Sequence, residues 1–386
     1  MDWQTAVVGI PAPPFGEQAR ASWLADRFAD AGLTPVLIDE VGNVLGFLQP
    51  ANHHPESTGP IVILSAHLDT VFPAGTPIKP NLFHKDGADR LEAPGACDNG
   101  AGIAGLLAIA NALIHAKADP PVPLLFLGNV GEEGEGDLRG VRQVYSSALA
   151  GRIGAHIVLD GAGADSAVTQ ALGSRRYQVT ITGPGGHSFT DAGTPNPIAA
   201  LATALAAVTK TPVPDEPRTT LNLGTIHGGT SVNSIPESAL AAIDFRSTSP
   251  DELLRLEVAL HRAVEDAVEQ ANAQARSTPA SRGRLAFTIS KIGDRPAARL
   301  PDDSPLFDAL HAVDRRLDIK TTVRLGSTDA NIPLSLHVPA MSVGAGGDGG
   351  GAHTQGEWYS NKDRELGLKR ALLLTLAMLD WAAENL

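Results

Sequence analysis

Four acidic residues crowd into one glycine-rich segment of this chain, GNVGEEGEGDLRG at residues 128–140. The segment follows an apolar run that is typical of a buried strand, and its glycines allow the backbone to bend tightly around the acids. Two adjacent carboxylates such as Glu132 and Glu133 can divide two tasks, because one binds a cation while the other takes a proton as general base. Glu135 and Asp137 have no role that the sequence assigns, and we interpret them as solvated.

A histidine and an aspartate stand together in SAHLDTV, residues 65–71, at the end of another apolar run. Residues i and i+2 of an extended chain face the same side, so we expect His67 and Asp69 to lie next to each other. A metal-binding histidine usually needs a carboxylate that fixes its tautomer and ring orientation. The pair therefore predicts a metal ligand with its orienting group; the alternative is a solvated strand end.

Three more polar residues border apolar segments. Asp98 lies in PGACDNGAG just before an apolar helix, where it could instead be a helix N-cap. Asp160 directly follows an apolar strand, and His353 lies in GGGAHTQGE, a loop after a further apolar run. Ligand sites of open α/β sheets lie beyond the carboxyl ends of the strands, so we expect these residues to converge.

The combined set has the composition of a site for two divalent cations. Its members are His67, Asp98, Glu132, Glu133, Asp160 and His353. Three of the carboxylates and a hydroxide balance two divalent charges, and two neutral histidines complete the set. Mixed nitrogen and oxygen ligands favour Zn²⁺, with Co²⁺ or Mn²⁺ as alternatives. Two such ions about 3.5–4 Å apart would lower the pKa of a shared water and polarise a carbonyl group.

Alternating helices and strands supply the scaffold for these residues. Helix 17–31, strand 60–66 and helix 100–117 begin an order that predicts an α/β fold with a mostly parallel sheet flanked by helices. From residue 174 the order becomes β-α-β-β-α-β, which is typical of a ferredoxin-like α+β unit.

We therefore predict one catalytic domain with an insertion. The catalytic domain comprises residues 1–173 and 293–386, and the inserted domain comprises residues 174–292.

Composition excludes several classes of partner. The formal net charge of −13 and the lack of a basic block argue against nucleic-acid binding. The single cysteine suits a reducing compartment. Neither a signal peptide nor an apolar run of the ~20 residues needed for a membrane span is visible. We expect a cytoplasmic protein without a membrane partner.

In their order along the chain, these motifs resemble the metal motifs of the M20 metallopeptidases, a family that includes peptidase T, glutamate carboxypeptidase and desuccinylase-like enzymes. The matching segments are SAHLDTVFP, GACDNGAG, the Glu-Glu pair, LDG and GAHTQGEW, and the similarity covers essentially the whole chain. The resemblance implies a zinc-exopeptidase-like α/β domain, an inserted lid and dimerisation domain, and two divalent metal ions per subunit.

The resemblance also implies a role for each candidate. Asp98 bridges both ions, His67 and Asp160 bind one, Glu133 and His353 bind the other, Asp69 supports His67, and Glu132 is the general base.

In the inserted domain, His187 of GPGGHSF resembles a histidine that enters the active site of the partner subunit in a homodimer and stabilises the oxyanion. Such a donor typically contributes a few kcal/mol to the transition state; the alternative is a turn histidine flanked by glycines. Asn233 and Arg246 resemble residues that contact substrate. Asn233 would bind a carbonyl oxygen and Arg246 a carboxylate, although an ion pair with a nearby acid is the alternative for Arg246.

The leading hypothesis is a dinuclear metal-dependent exopeptidase for small peptides. The alternatives are an amidohydrolase for N-acyl amino acids and a catalytically silent, peptide-binding family member. Asp329 could recognise an α-amino group and Arg246 a carboxylate, so the sequence leaves open which end of a peptide is bound. GAGGDG at residues 344–349 does not open a helix, which argues against dinucleotide binding, and no Gly-x-Ser-x-Gly elbow supports a serine hydrolase.

Overall fold

The computed structural model describes residues 1–52, 58–275 and 283–386. Contacts between Cα atoms divide the chain into two compact units. Met1–Ala171 and Arg299–Leu386 form the core unit, and Leu172–Ala298 form the inserted unit. The catalytic role of the first and the lid and dimerisation role of the second stay predictions.

The first part of the core unit alternates helices and strands. These are α1 (Asp2–Val8), α2 (Gln18–Ala31), β1 (Val36–Ile38), β2 (Val44–Leu48), β3 (Ile61–His67), β4 (Asn81–Lys85), β5 (Ala88–Glu92), α3 (Gly100–His115), β6 (Leu124–Asn129), α4 (Arg139–Val144), β7 (Ile153–Leu159) and β8 (Ser166–Ala171). Strands β3, β6 and β7 are buried along their whole length, as expected for strands that are covered on both faces.

The inserted unit is an antiparallel sheet with two helices. Its elements are β9 (Gly173–Thr182), β10 (Gly186–His187), α5 (Pro197–Val208), β11 (Thr219–Gly228), β12 (Ser234–Ile235), β13 (Ser238–Ser247), α6 (Pro250–Gln274) and β14 (Ala286–Arg295). The sheet has the order β11-β13-β9-β14, and the apolar faces of both helices pack on it. The short strands β10 and β12 pair separately, with His187 opposite Ser234.

The last part of the chain completes the core unit. It contains β15 (Ala298–Arg299), α7 (Pro305–Leu317), β16 (Thr322–Gly326), α8 (Asn331–Ser335), β17 (Ala340–Val343), β18 (Asp348–Gly350), β19 (Trp358–Ser360) and α9 (Arg364–Asn385). Among the described residues, no helix has both the length and the apolar character that a membrane span requires.

The large sheet has the strand order β1-β2-β6-β3-β7-β17-β8-β15, with β16 beside β8. Its central strands β6, β3, β7 and β17 are parallel. The predicted fold class, an α/β fold with a mostly parallel sheet flanked by helices, is therefore confirmed. Antiparallel pairs flank the parallel centre at β2 with β6 and at β17 with β8, which the sequence pattern did not predict.

A second, smaller sheet of the core unit has the order β18-β19-β5-β4. Strands β5 and β19 are antiparallel, and Trp358 lies opposite Glu92. This pairing places the loop that follows β5 beside the loop that precedes β19. The first loop carries Asp98 and the second carries His353.

Arg20 of α2 is fully buried directly behind the end of β3. Its Nε and Nη2 donate hydrogen bonds to the carbonyl oxygen of Ile10 at 3.0 and 2.7 Å, and its Nη1 donates to that of Leu68 at 2.7 Å. Burial lowers the pKa of Arg20 to about 10, so the guanidinium stays charged at neutral pH. A buried cation therefore fixes the peptide between His67 and Asp69.

We expect Arg20→Met to lower the free energy of unfolding by about 2–4 kcal/mol, because the buried carbonyl of Leu68 and the partly buried carbonyl of Ile10 lose their charged donor. Urea denaturation followed by circular dichroism measures this change. Arg27→Met on the same helix is the control, because Arg27 pairs with the exposed Asp30 and its loss should cost less than about 1 kcal/mol. Equal losses in both variants would contradict the special role of Arg20.

Candidate metal centre

The six residues predicted to form a metal site meet at the carboxyl edge of the parallel strands. They are His67 at the end of β3, Glu132 and Glu133 after β6, Asp160 after β7, Asp98 just before α3, and His353 in the loop before β19. Parallel neighbours end at the same edge of a sheet, so residues distant in sequence become neighbours there.

Ligand atoms of these residues lie within 4.8 Å of one another in three overlapping groups. The groups are His67, Asp98 and Asp160; Asp98, Glu133 and His353; and His67, Glu132 and Glu133. The first two groups share Asp98 and have the same membership as the two ligand sets that the family resemblance implies. Metal binding by these residues stays a prediction.

Asp98 directs its two carboxylate oxygens to two different imidazoles. Its Oδ1 lies 3.1 Å from Nε2 of His67, and its Oδ2 lies 3.0 Å from Nε2 of His353. The alternative role of Asp98 as the N-cap of α3 is wrong, because the side chain of Asn99 accepts the N–H of Gly102 and caps the helix.

Two of the three remaining carboxylates, those of Glu133 and Asp160, lie within 4 Å of these imidazoles. Glu133 places Oε1 at 3.2 Å from Nε2 of His353. Asp160 places Oδ1 at 3.9 Å from Nε2 of His67. Each imidazole therefore lies beside Asp98 and at least one further carboxylate.

Electrostatic coupling at this edge is strong. Burial acts to lower the pKa of His67, but the carboxylates of Asp160 and Asp98 outweigh it and raise that pKa well above 6.5. A hydrogen bond to Asp98 raises the pKa of His353 to about 9. Burial, assisted by the negative charge of Asp98, raises the pKa of Glu133 to about 7. The carboxylates therefore create a negative potential at the positions that the imidazole nitrogens face, and this potential favours a positive charge there.

This arrangement fits divalent cations. Within the described ranges, Oδ1 of Asp98 is buried and accepts no hydrogen bond of regular geometry, although His67 is near. Both histidines present Nε2 to carboxylates, and neutral imidazole nitrogen with carboxylate oxygen is a common donor set for Zn²⁺. A cation between these atoms would replace imidazolium protons as the balance for the clustered negative charge.

Asp69 is buried and lies beside His67, as expected, and its carboxylate also makes contacts that we did not predict. Its Oδ1 lies 3.8 Å from Nδ1 of His67, whereas its own carbonyl oxygen lies closer, at 3.1 Å. The carboxylate instead accepts the backbone N–H of Glu132 at 3.0 Å and that of Glu133 at 2.7 Å. The carboxylate thus fixes the turn that carries Glu132 and Glu133. Support of His67 by Asp69 stays a prediction, and the carbonyl oxygen of Asp69 is the nearer of the two acceptors.

Two further buried acids belong to this region. Glu357, to which sequence reasoning gave no role, accepts three backbone N–H groups of the Asp98 loop. The sequence shows only an acid in a glycine-rich loop, and this pattern does not distinguish a buried hydrogen-bond acceptor from a solvated acid. Asp329 is fully buried and accepts a hydrogen bond from Nδ2 of Asn129 at 2.7 Å, and burial raises its pKa to about 7.

In the inserted unit, the side chain of His187 is exposed and has a defined orientation. Its Nδ1 accepts the backbone N–H groups of Phe189 and Thr190 at 3.2 and 3.3 Å. In the neutral ring, the proton therefore resides on Nε2, which makes Nε2 a hydrogen-bond donor. The predicted role of this histidine in oxyanion stabilisation requires such a donor.

The two predicted substrate contacts of the inserted unit differ in their surroundings. Asn233 is exposed, and its Oδ1 accepts a hydrogen bond from Ser231 at 2.9 Å. Nε of Arg246 donates to Asp244 at 2.8 Å, which is the ion pair considered as the alternative. The substrate roles of both residues stay predictions.

The chain matches the model of peptidase family M20/M25/M40 over residues 63–377. It is 29% identical over 292 residues to a probable carboxypeptidase of Neosartorya fischeri, a match that covers 68% of this chain and 64% of that protein. The matched region thus spans just under two thirds of the length of that curated relative.

Solved structures share the fold over nearly the full chain. Aminopeptidase PepT from Bacillus cereus superposes with a TM-score of 0.74 at 19% identity and covers 98% of this chain and 97% of its own. A dinuclear metal-binding peptidase of the M20 family from Bacillus subtilis gives a TM-score of 0.68 at 15% identity, with coverages of 98% and 97%. At these identities the similarity establishes the fold.

We expect Asp98→Asn and Asp160→Asn to differ in metal content after loading with Zn²⁺ and dialysis. Loss of the carboxylate shared by both groups should weaken both metal equivalents, whereas loss of Asp160 should weaken one. Mass-spectrometric metal analysis per chain measures the difference. Identical metal content in the two variants would show that Asp98 does not serve both groups.

Proposed function

This chain belongs to peptidase family M20/M25/M40, and we propose that it is a dinuclear metal-dependent exopeptidase that hydrolyses amide bonds of small peptides. The observation that carries this proposal is the position of Asp98, whose two oxygens each face a separate group of ligands. The solved peptidase from Bacillus subtilis is described as dinuclear and metal-binding, which supports two ions in this chain.

Each ion would be held by nitrogen and oxygen ligands. One set is His67, Asp160 and Asp98, and the other is Asp98, Glu133 and His353. Zn²⁺ suits such a set, with Co²⁺ or Mn²⁺ as alternatives. When bound, the ions supply a Lewis acid for the scissile carbonyl and a water of lowered pKa.

Glu132 is the general base in this proposal. Its carboxylate lies in one group of ligand atoms with an imidazole nitrogen of His67 and the carboxylate of Glu133, and its backbone N–H donates to Asp69 at 3.0 Å. Glu132 takes the proton of the attacking water and holds it on its carboxylate. It then donates the proton to the nitrogen of the leaving amine, so that the same residue serves as base and as acid.

His187 supplies positive potential to the oxyanion. Because Nδ1 accepts two backbone N–H groups, the side chain presents Nε2–H as the donor. A donor aimed at charge that develops only in the transition state accelerates the chemical step. We propose that His187 acts on the site of the partner copy in a homodimer, with Asn233 as an additional donor to the substrate carbonyl.

The end of the substrate that is recognised divides the candidate activities. Asp329 is fully buried and bonded to Asn129, so it is poorly placed to contact an α-amino group. Arg246 has a side chain that is 42% exposed, although its Nε is paired with Asp244. This contrast favours recognition of a free carboxylate, in agreement with the relative named a probable carboxypeptidase. Carboxylate recognition also suits N-acyl amino acids, which makes an amidohydrolase the second candidate.

A substrate panel tests the proposed function. Metal-stripped protein, reloaded with Zn²⁺, Co²⁺ or Mn²⁺, is incubated with di- and tripeptides and N-acyl amino acids, and products are identified by mass spectrometry. We expect metal-dependent cleavage of small peptides, and the released residue identifies the end that is recognised. Glu132→Gln should lower kcat by at least about 10²–10⁴-fold, because the proton acceptor is lost.

The control for that variant is Glu135→Gln, which makes the same change at an exposed position. It should keep the activity of the unaltered protein, and both variants should keep its metal content. Full activity of Glu132→Gln would remove Glu132 from the mechanism. Metal binding without cleavage of any amide in the panel would favour the silent, peptide-binding alternative.

A mixing experiment tests the role of His187 across subunits. His187→Ala should lower kcat by about 10²–10³-fold, because one oxyanion donor is lost. If His187 serves the partner copy, mixing it with inactive Glu132→Gln protein should restore about one quarter of normal activity, since half of the dimers then contain one intact site. Activity that stays at the sum of the separate variants would show that His187 acts within its own chain.

A further inference from the structure

We propose that Glu357 is a positioning residue of the metal centre, which fixes Asp98 by accepting the backbone N–H groups of its loop. The inference rests on the proposed function, because the position of Asp98 matters most if this residue bridges two metal ions. Glu357 itself belongs to none of the groups of ligand atoms that converge in the described residues.

The carboxylate of Glu357 is fully buried against the loop. Its Oε2 accepts the N–H of Gly95 at 2.8 Å, and its Oε1 accepts those of Cys97 and Asp98 at 2.7 Å each. An ionised carboxylate is a pure acceptor with two oxygens, whereas glutamine has a single acceptor oxygen and would turn an N–H₂ group toward the loop. The contact therefore selects for a carboxylate at this position.

The strand pairing explains why Glu357 reaches this loop. It directly precedes β19, which pairs with β5, and the Asp98 loop directly follows β5. The backbone of Glu357 adds a further bond, since its carbonyl oxygen accepts the N–H of Ala93 at 3.1 Å. The segment that contains His353 and Glu357 thus holds Asp98 twice: an imidazole faces its side chain, and a carboxylate binds its main chain.

The charge of Glu357 also bears on metal binding. A buried carboxylate is costly unless it is hydrogen-bonded and balanced by positive charge. Three N–H groups bind it, and the positive charge of buried Arg20 acts on it as well as on Asp69. A second anion beside Asp98 strengthens the negative potential at the site, and this favours divalent cations over an empty site.

Titration of metal-stripped protein with Co²⁺ and Zn²⁺ tests this inference. We expect Glu357→Gln to weaken both metal equivalents by about 10–100-fold, because loss of a group that orients a ligand typically has this effect. The Co²⁺ absorption spectrum should change as well, since Asp98 would no longer be held in one position. Asp160→Asn should weaken the binding of one ion only. The comparison therefore distinguishes displacement of the shared ligand Asp98 from loss of a ligand that serves one ion.

Two further variants complete the design. Glu269→Gln removes the same charge from the exposed face of α6 and should bind both ions with unaltered affinity. Glu357→Asp keeps the charge but shortens the side chain, so both equivalents should weaken by a smaller factor. Circular dichroism of the metal-free protein at the titration temperature shows whether Glu357→Gln is folded. If it is not folded, the metal affinity of Glu357→Asp tests the inference instead.

Unaltered affinity and an unaltered Co²⁺ spectrum in a folded Glu357 variant would overturn the inference. So would an equal loss of affinity in Glu269→Gln. Failure of the proposed function gives a different result from failure of this inference. In that case the unaltered protein binds metal but cleaves no amide of the panel, while the Glu357 variants still lose metal affinity.

Discussion

Mutual repulsion among carboxylates that are forced together is the constraint on which this structure depends. Asp98, Glu133 and Asp160 are brought to one edge of the sheet with two imidazoles between them. Such a cluster tends to separate or take up protons, and the pKa of Glu133 is raised by burial first and by the negative charge of Asp98 second. The surrounding fold resists separation, because each acid is attached to a different strand end or helix start of a buried parallel sheet.

Resistance comes from the backbone as much as from the side chains. Asp69 accepts the N–H groups of Glu132 and Glu133, and Glu357 accepts those of the loop that carries Asp98. In both cases a buried acid outside the groups of candidate ligands fixes the main chain of residues that belong to them. Arg20 offsets part of this charge, since its guanidinium is buried within reach of both supporting acids.

The sequence predicted the part of this arrangement that follows from residue type and from the order of the strands and helices. Apolar strands that end in acids or histidines identified the edge of the sheet, so the residues that converge were found before their geometry was known. Contacts between distant loops could not be found in that way. Asp69 was assigned to His67 because the two are near in sequence, whereas its carboxylate bonds lie 63 and 64 residues away. Glu357 lies about 260 residues from the N–H groups that donate to it, so the local sequence pattern carried no information about these hydrogen bonds.

The discontinuity of the core unit sets an order of events during synthesis of the chain. The inserted unit, Leu172–Ala298, is continuous and can be completed while the ribosome is still producing the remainder. The core unit cannot, because the carboxylate that holds the Asp98 loop is residue 357 of 386. At synthesis rates of about 5–20 residues per second, the acidic edge lacks its last support for many seconds. If this edge binds metal as proposed, binding is expected only after residue 357 has been synthesised and has reached the Asp98 loop.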